Sequence, residues 1–351
     1  MDKIIFANSA VAGRVSIIIP TRRAERFIGD TLATIGMQTY PNWEVIVVED
    51  GSQGATEQIV SSFAKRHPTN RVEYSRNDRS YGASFTRNLA FATAAGEFVA
   101  LLDSDDRWTP DHLQVSVDAL ESTGKDLVYS TVMFIADQTD MPLGTWGPCE
   151  GDLKDFPQSI FGRNFITPSS TVMRRQVLAD VGPWNTKLIY CEDYEYWLRC
   201  IEAEKQFHWI GGCHCFYRKN HAGATTQKLC GTLEEVADVS VRFLNLPGMR
   251  EKTSRRSASK AYAHAAEFHR RSNPAIDPSA DFAHAATLLM KAWRLRPSHI
   301  DYPFMAAKVR IASWLRRTPR ALVAPPSVLS AALDPAPVMT ANASTSAKIA
   351  A

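Results

Sequence analysis

Apolar positions along the chain fall into two regimes with a mixed stretch between them. From residue 15 to 135, short continuous apolar runs alternate with stretches of helical period. Val15–Ile19 is one such run, nearly all β-branched, followed by Pro20, Thr21 and a helical pattern to about Gln38. Trp43–Val48 is the second and ends in Glu49-Asp50-Gly51-Ser52. A helix to about His67, a strand over Val72–Ser75 and a helix over Ala83–Ala95 come next. The strand Glu97–Leu102 is then closed by Asp103-Ser104-Asp105-Asp106. Short strands buried on both faces, alternating with helices, predict a mostly parallel sheet built by crossovers. Ligands bind such sheets beyond the carboxyl ends of the strands, so the two acidic clusters are expected to meet at that edge.

The pattern changes from about Asp126. Leu127–Ile135 reads as a strand, Pro142–Pro148 as a loop, Cys191–Ala203 as a helix and Phe207–Tyr217 as a strand broken at Gly211-Gly212. Beyond Leu233 the period is helical, over Glu234–Leu244, Arg255–Arg271, Phe282–Arg294 and Phe304–Arg316. Ala263, Ala266, Ala285, Leu288, Leu289 and Trp293 suggest an antiparallel pair among them. One such pair buries its own face poorly, so docking on the preceding domain or on a partner is expected. After Arg320 the chain is rich in Ala, Pro, Ser and Thr and reads as disordered. The predicted organisation is a lead over 1–14, an α/β domain over 15–230, a helical region over 231–320 and a tail over 321–351.

Composition adds few constraints. A chain of 351 residues, 45% hydrophobic and 22% charged, sustains one large domain plus an appendage. Its formal charge of +3 is unevenly spread: from Arg250 to Arg320, fifteen Lys/Arg stand against five Asp/Glu. That region suits an anionic surface, and Trp293, Phe304, Trp314 and Arg316-Arg317 could lie on a membrane. No signal-peptide pattern opens the sequence, and no window reaches the roughly 18 consecutive apolar residues of a membrane span. A cytoplasmic location, with peripheral contact at most, is expected. Six cysteines in a chain this long make no disulfide framework. Cys213-His214-Cys215 lacks a second pair at zinc spacing and reads as buried thiols on a strand. No motif points to nucleic acid.

Chemistry enters at the acidic strand ends. Carboxylates on an Asp-x-Asp spacing address one hard cation while leaving positions for phosphate oxygens. Asp103-Ser104-Asp105 fits that need, though turns are rich in Asp and Asp106 or Thr109 also suits a helix cap. Further along, Glu192-Asp193 opens a helix whose Tyr196, Trp197 and Cys200 face inward. An acid is favoured there by the helix dipole as well as by any role as a base.

Three segments in order carry a resemblance: SIIIPTRRAERFIGDTLATIGMQTYPNWEVIVVEDGS, YGASFTRNLAFATAAGEFVALLDSDDRW and VGPWNTKLIYCEDYEYWLRC. Together they resemble family 2 glycosyltransferases of the GT-A fold, over roughly Val15–Thr226. The resemblance implies an α/β GT-A domain with a C-terminal helical extension. It implies inverting transfer of a sugar from a nucleotide-diphosphate donor, a UDP-sugar favoured, to an acceptor hydroxyl. Polysaccharide, glycolipid or cell-surface glycan synthesis is the setting it suggests, with a glycan or lipid-linked acceptor.

Residue by residue, the resemblance places Asp50 at the donor's base, with Glu49 where relatives more often carry a first Asp. Pro20 and Thr21 would line the base and ribose pocket, and Tyr81-Gly82 and Arg87-Asn88 would approach ribose and phosphates. Asp103 would sit by the ribose and donor sugar, and Asp105 would ligate Mn²⁺ or Mg²⁺. Asp193 is implied as the catalytic base, with Glu192 orienting the site or acceptor. In FYRKNHAGATT, His221 would complete the metal site, and Arg218 or Lys219 would offset charge on the diphosphate. Trp184 and Phe165–Ser170 would form the acceptor pocket.

Competing classes lack their motifs. A dinucleotide-binding dehydrogenase wants Gly-x-Gly-x-x-Gly after the first strand, where Pro-Thr-Arg-Arg stands. A nucleotidyltransferase would need a Gly-rich basic loop there. The non-enzymatic alternative is an inactive transferase-like domain that acts as a scaffold through its helical C-terminus. The complete set Asp50, Asp103, Asp105 and Asp193 argues against it.

Overall fold

In the computed structural model, which describes Ile4, Phe6 and residues 9–219, 229–272 and 281–317, the apolar runs of the first half become parallel strands. β1 (Val11–Thr21), α1 (Ile28–Gly36), β2 (Trp43–Glu49), α2 (Thr56–Arg66), β3 (Val72–Arg76), α3 (Ala83–Thr93) and β4 (Gly96–Leu101) follow in order. The strands lie side by side as β3-β2-β1-β4. Every residue of β2 is buried. In β1, Val15, Ile17 and Ile19 enter one core and Ile18 the opposite one. A continuous apolar run encodes this two-sided burial, because side chains alternate across a strand.

Register decides which residues share the functional edge. Thr21 pairs with Glu49, and Ile18 pairs with Leu101. Asp50 therefore emerges beside the end of β1, and Asp103 emerges beyond β4 at the level of Pro20.

The second half runs β5 (Arg107–Trp108), α4 (His112–Thr123), β6 (Leu127–Ala136), β7 (Pro142–Trp146), α5 (Glu150–Lys154), β8 (Thr171–Arg174), α6 (Arg175–Val181), α7 (Glu192–Glu202) and β9 (Phe207–Lys219). The sheet continues as β4-β8-β6-β9-β5, with β7 also on β6. Because β8 is antiparallel to both neighbours, β6 and β9 run the same way as β1 and β4. Their carboxyl ends reach the same edge. The loop expected over Pro142–Pro148 is a strand for most of its length, since Val132 to Ile135 pair with it antiparallel. Most of its residues are exposed, so no apolar alternation announced it. The break at Gly211-Gly212 is a bulge: register with β6 slips between Tyr129↔Trp209 and Thr131↔Cys213. Both glycines hold positive φ, +73° and +60°, which other residues resist. None of the six cysteines is joined in a disulfide.

Four helices follow: α8 (Leu229–Arg242), α9 (Glu251–Arg271), α10 (Ala285–Leu295) and α11 (Asp301–Arg317). Ala265, Ala266, Leu288, Leu289, Ala292 and Val309 make their common core. α8 also faces the other way. Its Val239 and Phe243 join the core that holds Tyr194 and Trp197 of α7, and Ser240 Oγ lies 3.1 Å from the Tyr194 hydroxyl. The helical region thus docks on the chain's own α/β domain. No described helix is long and apolar enough to cross a membrane. The tail expected over 321–351 lies outside the described residues.

Candidate active site

Asp50 is fixed from above. Its carboxylate accepts hydrogen bonds from Ser80 Oγ (2.6 Å), Tyr81 N (2.8 Å), Gly82 N (3.0 Å) and Asn77 Nδ2 (3.1 Å). Burial opposes its ionisation, but these four donors outweigh burial and hold the carboxyl below its ordinary value. Asp50 thereby folds the loop before α3 onto the end of β2. Gly51 permits the approach: at φ +71°, a Cβ there would stand 2.2 Å from the Arg79 carbonyl carbon. Glu49 braces the same turn by accepting from Ser52 Oγ and, at 3.3 Å, from Arg23 N. Next to it, the buried Thr21 hydroxyl has no partner among the described residues, and Pro20 is half-buried.

Arg87 joins the two halves of the site. It is 4% exposed and donates to Asp103 Oδ1 at 2.6 Å and to Glu192 Oε1 at 3.2 Å. Its guanidinium carbon lies 4.6 Å from the centroid of the Trp184 ring, a cation–π contact in a desolvated place. Burial disfavours the cation, yet the two carboxylates prevail and raise its pKa further. Asn88 pins the same tryptophan, exchanging hydrogen bonds with the Trp184 backbone at 2.8 and 2.9 Å. Trp184 is therefore corrected from the acceptor pocket to the core: it is 1% exposed and stacked on Tyr196. Phe165–Ser170 is mostly core too, and Ser169 Oγ serves Asp103 by accepting its backbone N–H at 3.0 Å.

Arg218 holds the next turn. Its backbone N–H donates to Asp106 Oδ1 (3.0 Å), its Nε to the Asp105 carbonyl (3.2 Å) and its Nη1 to Asp140 Oδ1 (2.9 Å). This guanidinium grips the acidic turn rather than facing a diphosphate. Lys219 lays its ammonium 4.3 Å from the Phe134 ring centroid. Asp106 is buried, and burial followed by repulsion from Asp105 and Asp103 pushes its carboxyl well above the ordinary range. Such crowding is what a divalent cation relieves, so the donor set around Asp105 fits one. Among the described residues, no group of three or more His, Cys, Asp or Glu is disposed to hold a metal alone. His221, the other expected ligand, lies outside the described residues.

Asp193 occupies the first turn of α7. Its Oδ1 accepts from Tyr194 N at 2.7 Å and its Oδ2 from Asn164 Nδ2 at 3.1 Å. Burial, then repulsion from Glu192, pushes its carboxyl up to about 7. Glu192 is itself raised by burial, with Arg87 restraining the shift. Tyr217 lies within electrostatic reach of four of these acids: burial first, and then the charges of Asp106, Asp103, Asp105 and Asp193, raise its phenol.

The family model described as "Glycosyl transferase family 2" matches residues 16–182, which hold Asp50, Arg87, Asp103 and Asp105. That segment is a family 2 glycosyltransferase domain. Among relatives of the transferase, WfgD of Escherichia coli is named a UDP-Glc:alpha-D-GlcNAc-diphosphoundecaprenol beta-1,3-glucosyltransferase. It is 28% identical over 188 residues, 54% of this chain and 70% of that protein. The first relatives are matched over about two thirds of their own length, 64–70%. The chain has the GT-A fold. It resembles the crystal structure of S. aureus TarS 1–349 in complex with UDP-GlcNAc at a TM-score of 0.59 and 17% identity, covering 86% of this chain and 92% of that one. It also resembles the mannosyltransferase PcManGT from Pyrobaculum calidifontis in complex with GDP-Man and Mn²⁺. There the TM-score is 0.53 with 18% identity, covering 90% of each chain.

The transferase edge thus gathers Thr21, Asp50, Arg87, Asp103, Asp105, Glu192 and Asp193. Asn164 was not foreseen, because a lone Asn in a loop carries no sequence signal of what it will touch. Arg87→Met should leave Asp103 and Glu192 without their cation. Breaking a buried pair costs about 3–5 kcal/mol, and the partial exposure of both acids places this case near the lower end. Urea unfolding measures it, and a loss below about 1 kcal/mol would contradict the hub role.

Proposed function

We propose that the protein is an active inverting glycosyltransferase that moves a sugar from a nucleoside-diphosphate donor to an acceptor hydroxyl. The observation that carries this reading is Asp193, held by Asn164 and the Tyr194 N–H beside Glu192 and the Arg87–Asp103 pair, with its carboxyl raised to about 7. A base poised near neutrality is what an acceptor hydroxyl needs.

Donor binding falls to the β1–β2–β4 edge. The Thr21 hydroxyl and the loop folded by Asp50 would receive base and ribose, and Asp103, steadied by Arg87, would face the donor sugar. Arg87 acts through Asp103 and Glu192 rather than by contacting phosphate. Uridine is favoured, since WfgD is named for UDP-Glc and TarS was solved with UDP-GlcNAc. A divalent cation, Mn²⁺ or Mg²⁺, held by Asp105 would offset charge on the diphosphate.

The chain's own residues then manage the proton. The acceptor oxygen attacks the anomeric carbon as its proton passes to Asp193. The bond to the diphosphate oxygen breaks with its electron pair, and the nucleoside diphosphate departs. A single displacement inverts the anomeric centre. Asn164 and the Tyr194 N–H hold the carboxylate still, and Glu192 keeps it from ionising too early.

The acceptor we propose is a glycan or lipid-linked glycan met at the cytoplasmic face of a membrane. α11 and the residue before it support this: Ile300, just ahead of the helix, and Phe304, Ile311 and Trp314 within it are 64%, 67%, 60% and 65% exposed. Lys308 and Arg310 lie exposed between them, within the strongly basic 250–320 region. Large apolar side chains beside basic ones suit an anionic bilayer surface.

Asp193→Asn should lower transfer about 10²–10⁴-fold while donor affinity holds. In the unmodified protein, activity should fall about tenfold per pH unit below about 7, where Asp193 becomes protonated. The raised carboxyl also means that ionisation costs stability as pH climbs from the ordinary Asp range through 7. Asp193→Asn should therefore raise the melting temperature more at pH 8 than at pH 5, where only part of the penalty has developed; equal effects at both would remove the tuned base. A thermal-shift panel of UDP, GDP, dTDP and CDP with Mn²⁺ or chelator should give one selective, metal-dependent stabilisation that Asp105→Ala abolishes. No shift with any nucleotide would sink the enzyme reading. Finally, phosphatidylglycerol vesicles should sediment the protein while phosphatidylcholine vesicles do not, and Phe304→Ser with Trp314→Ser should release it. Failure to bind either vesicle would discard the membrane contact, and equal binding to both would discard its anionic preference.

A further inference from the structure

From the geometry of α8 we infer that Glu235, in the helical region, is a positioning residue for Asp193, so that the helical region completes the active site. The inference rests on the transferase reading for what Asp193 does, but the contacts stand by themselves. Glu235 reaches across to the segment that leads into α7. Its Oε2 accepts from Tyr190 N at 2.6 Å, Cys191 N at 2.9 Å and Ile189 N at 3.2 Å, and its Oε1 accepts from Ile189 N at 3.0 Å. Three consecutive backbone N–H groups thus converge on one carboxylate. Glu192 and Asp193 are the next residues along the chain.

A charged acceptor matters here. Consecutive N–H groups pointing the same way form a concave patch of positive potential, and hydrogen bonds to a carboxylate are about twice as strong as neutral ones. The segment Ile189–Cys191 has no strand to pair with. Its conformation is therefore set by Glu235 and by packing. That conformation in turn sets the direction in which α7 starts, and hence where Asp193 meets Asn164.

A second contact acts on the same segment independently. Gly231, one turn before Glu235, lies under the Tyr190 ring: a Cβ there would stand 2.7 Å from Tyr190 Cε2 and 3.1 Å from Cζ. Only a residue without a side chain lets the ring lie so close to α8. Further along, Ser240 meets the Tyr194 hydroxyl at 3.1 Å, and Arg242 Nη2 reaches Glu195 Oε1 at 3.3 Å. One face of α8 thus follows the chain from residue 189 to 195.

The experiment compares the full chain with Glu235→Gln and Gly231→Ala. A glutamine keeps the length but turns one acceptor oxygen into a donor facing N–H groups. Hydrogen exchange of peptides covering 187–195 should speed up in both variants, while peptides of β1, β2 and β4 stay protected. UDP-glucose hydrolysis, with water as acceptor, should fall at least tenfold in kcat. UDP affinity should change less than threefold, and the acid limb of the pH profile should move away from about 7. Unchanged exchange at 187–195, or unchanged kcat and pH profile in folded variants, would overturn the inference. So would loss of UDP binding in step with activity, because that signals general damage. If the unmodified protein binds no nucleotide and hydrolyses no UDP-glucose, the transferase reading fails instead. The exchange data then still decide whether Glu235 holds the segment.

Discussion

A guanidinium sealed from water between two carboxylates is the constraint around which this edge of the sheet is built. Arg87 belongs to α3, Asp103 to the turn after β4 and Glu192 to the start of α7, so one side chain ties three elements separated by up to 105 residues. An isolated cation at 4% exposure would cost several kcal/mol. The structure therefore commits both acids and the face of Trp184 to it. Those commitments propagate outward. Trp184 must stay in the core, Asn88 must hold the Trp184 backbone, and Ser169 must hold the turn at Asp103. The catalytic geometry proposed here is a consequence of satisfying one buried charge.

The remaining acids stay short of cations, and the shortage is useful. Arg87 neutralises one negative charge among Asp103, Glu192 and the adjoining Asp193. Arg218 is spent on Asp106, Asp140 and the backbone of the Asp105 turn. Burial first, and repulsion between neighbouring acids after it, raises the carboxyls of Asp106, Glu192 and Asp193. A site that receives a metal ion and releases an acceptor proton requires unbalanced charge of this sort, at some cost in stability. Asp50 shows the opposite case. Four donors satisfy it, its carboxyl is held low, and its work is to shape a loop.

Much of this was legible in the sequence, and the limits are physical. Continuous apolar runs gave β1, β2 and β4 because both faces of those strands are buried, and the acids at their ends followed from the direction of a parallel sheet. β7 was illegible, since an exposed strand that hangs on one edge of β6 has no alternation to display. Trp184 misled because a tryptophan beside a catalytic segment looks the same in sequence whether it stacks on a ligand or on Tyr196. Arg87 was expected beside the donor's ribose and phosphates, but its carboxylate partners were not foreseen, because a charge pair that spans 105 residues is a property of the fold.

The boundary of the working unit follows from the same reasoning. The family model stops at residue 182, yet Asp193, Asn164's partner, lies beyond it. The segment that delivers Asp193 is held by a residue further on still, in α8. Loops next to chemistry are necessarily short of backbone partners, and the carboxylate of Glu235 supplies what a neighbouring strand would have supplied elsewhere. The helices that look appended therefore sit in the direct line of support for Asp193, the base proposed above. A surface contact made through α11 has a packed route to the site by way of α10, α9 and α8.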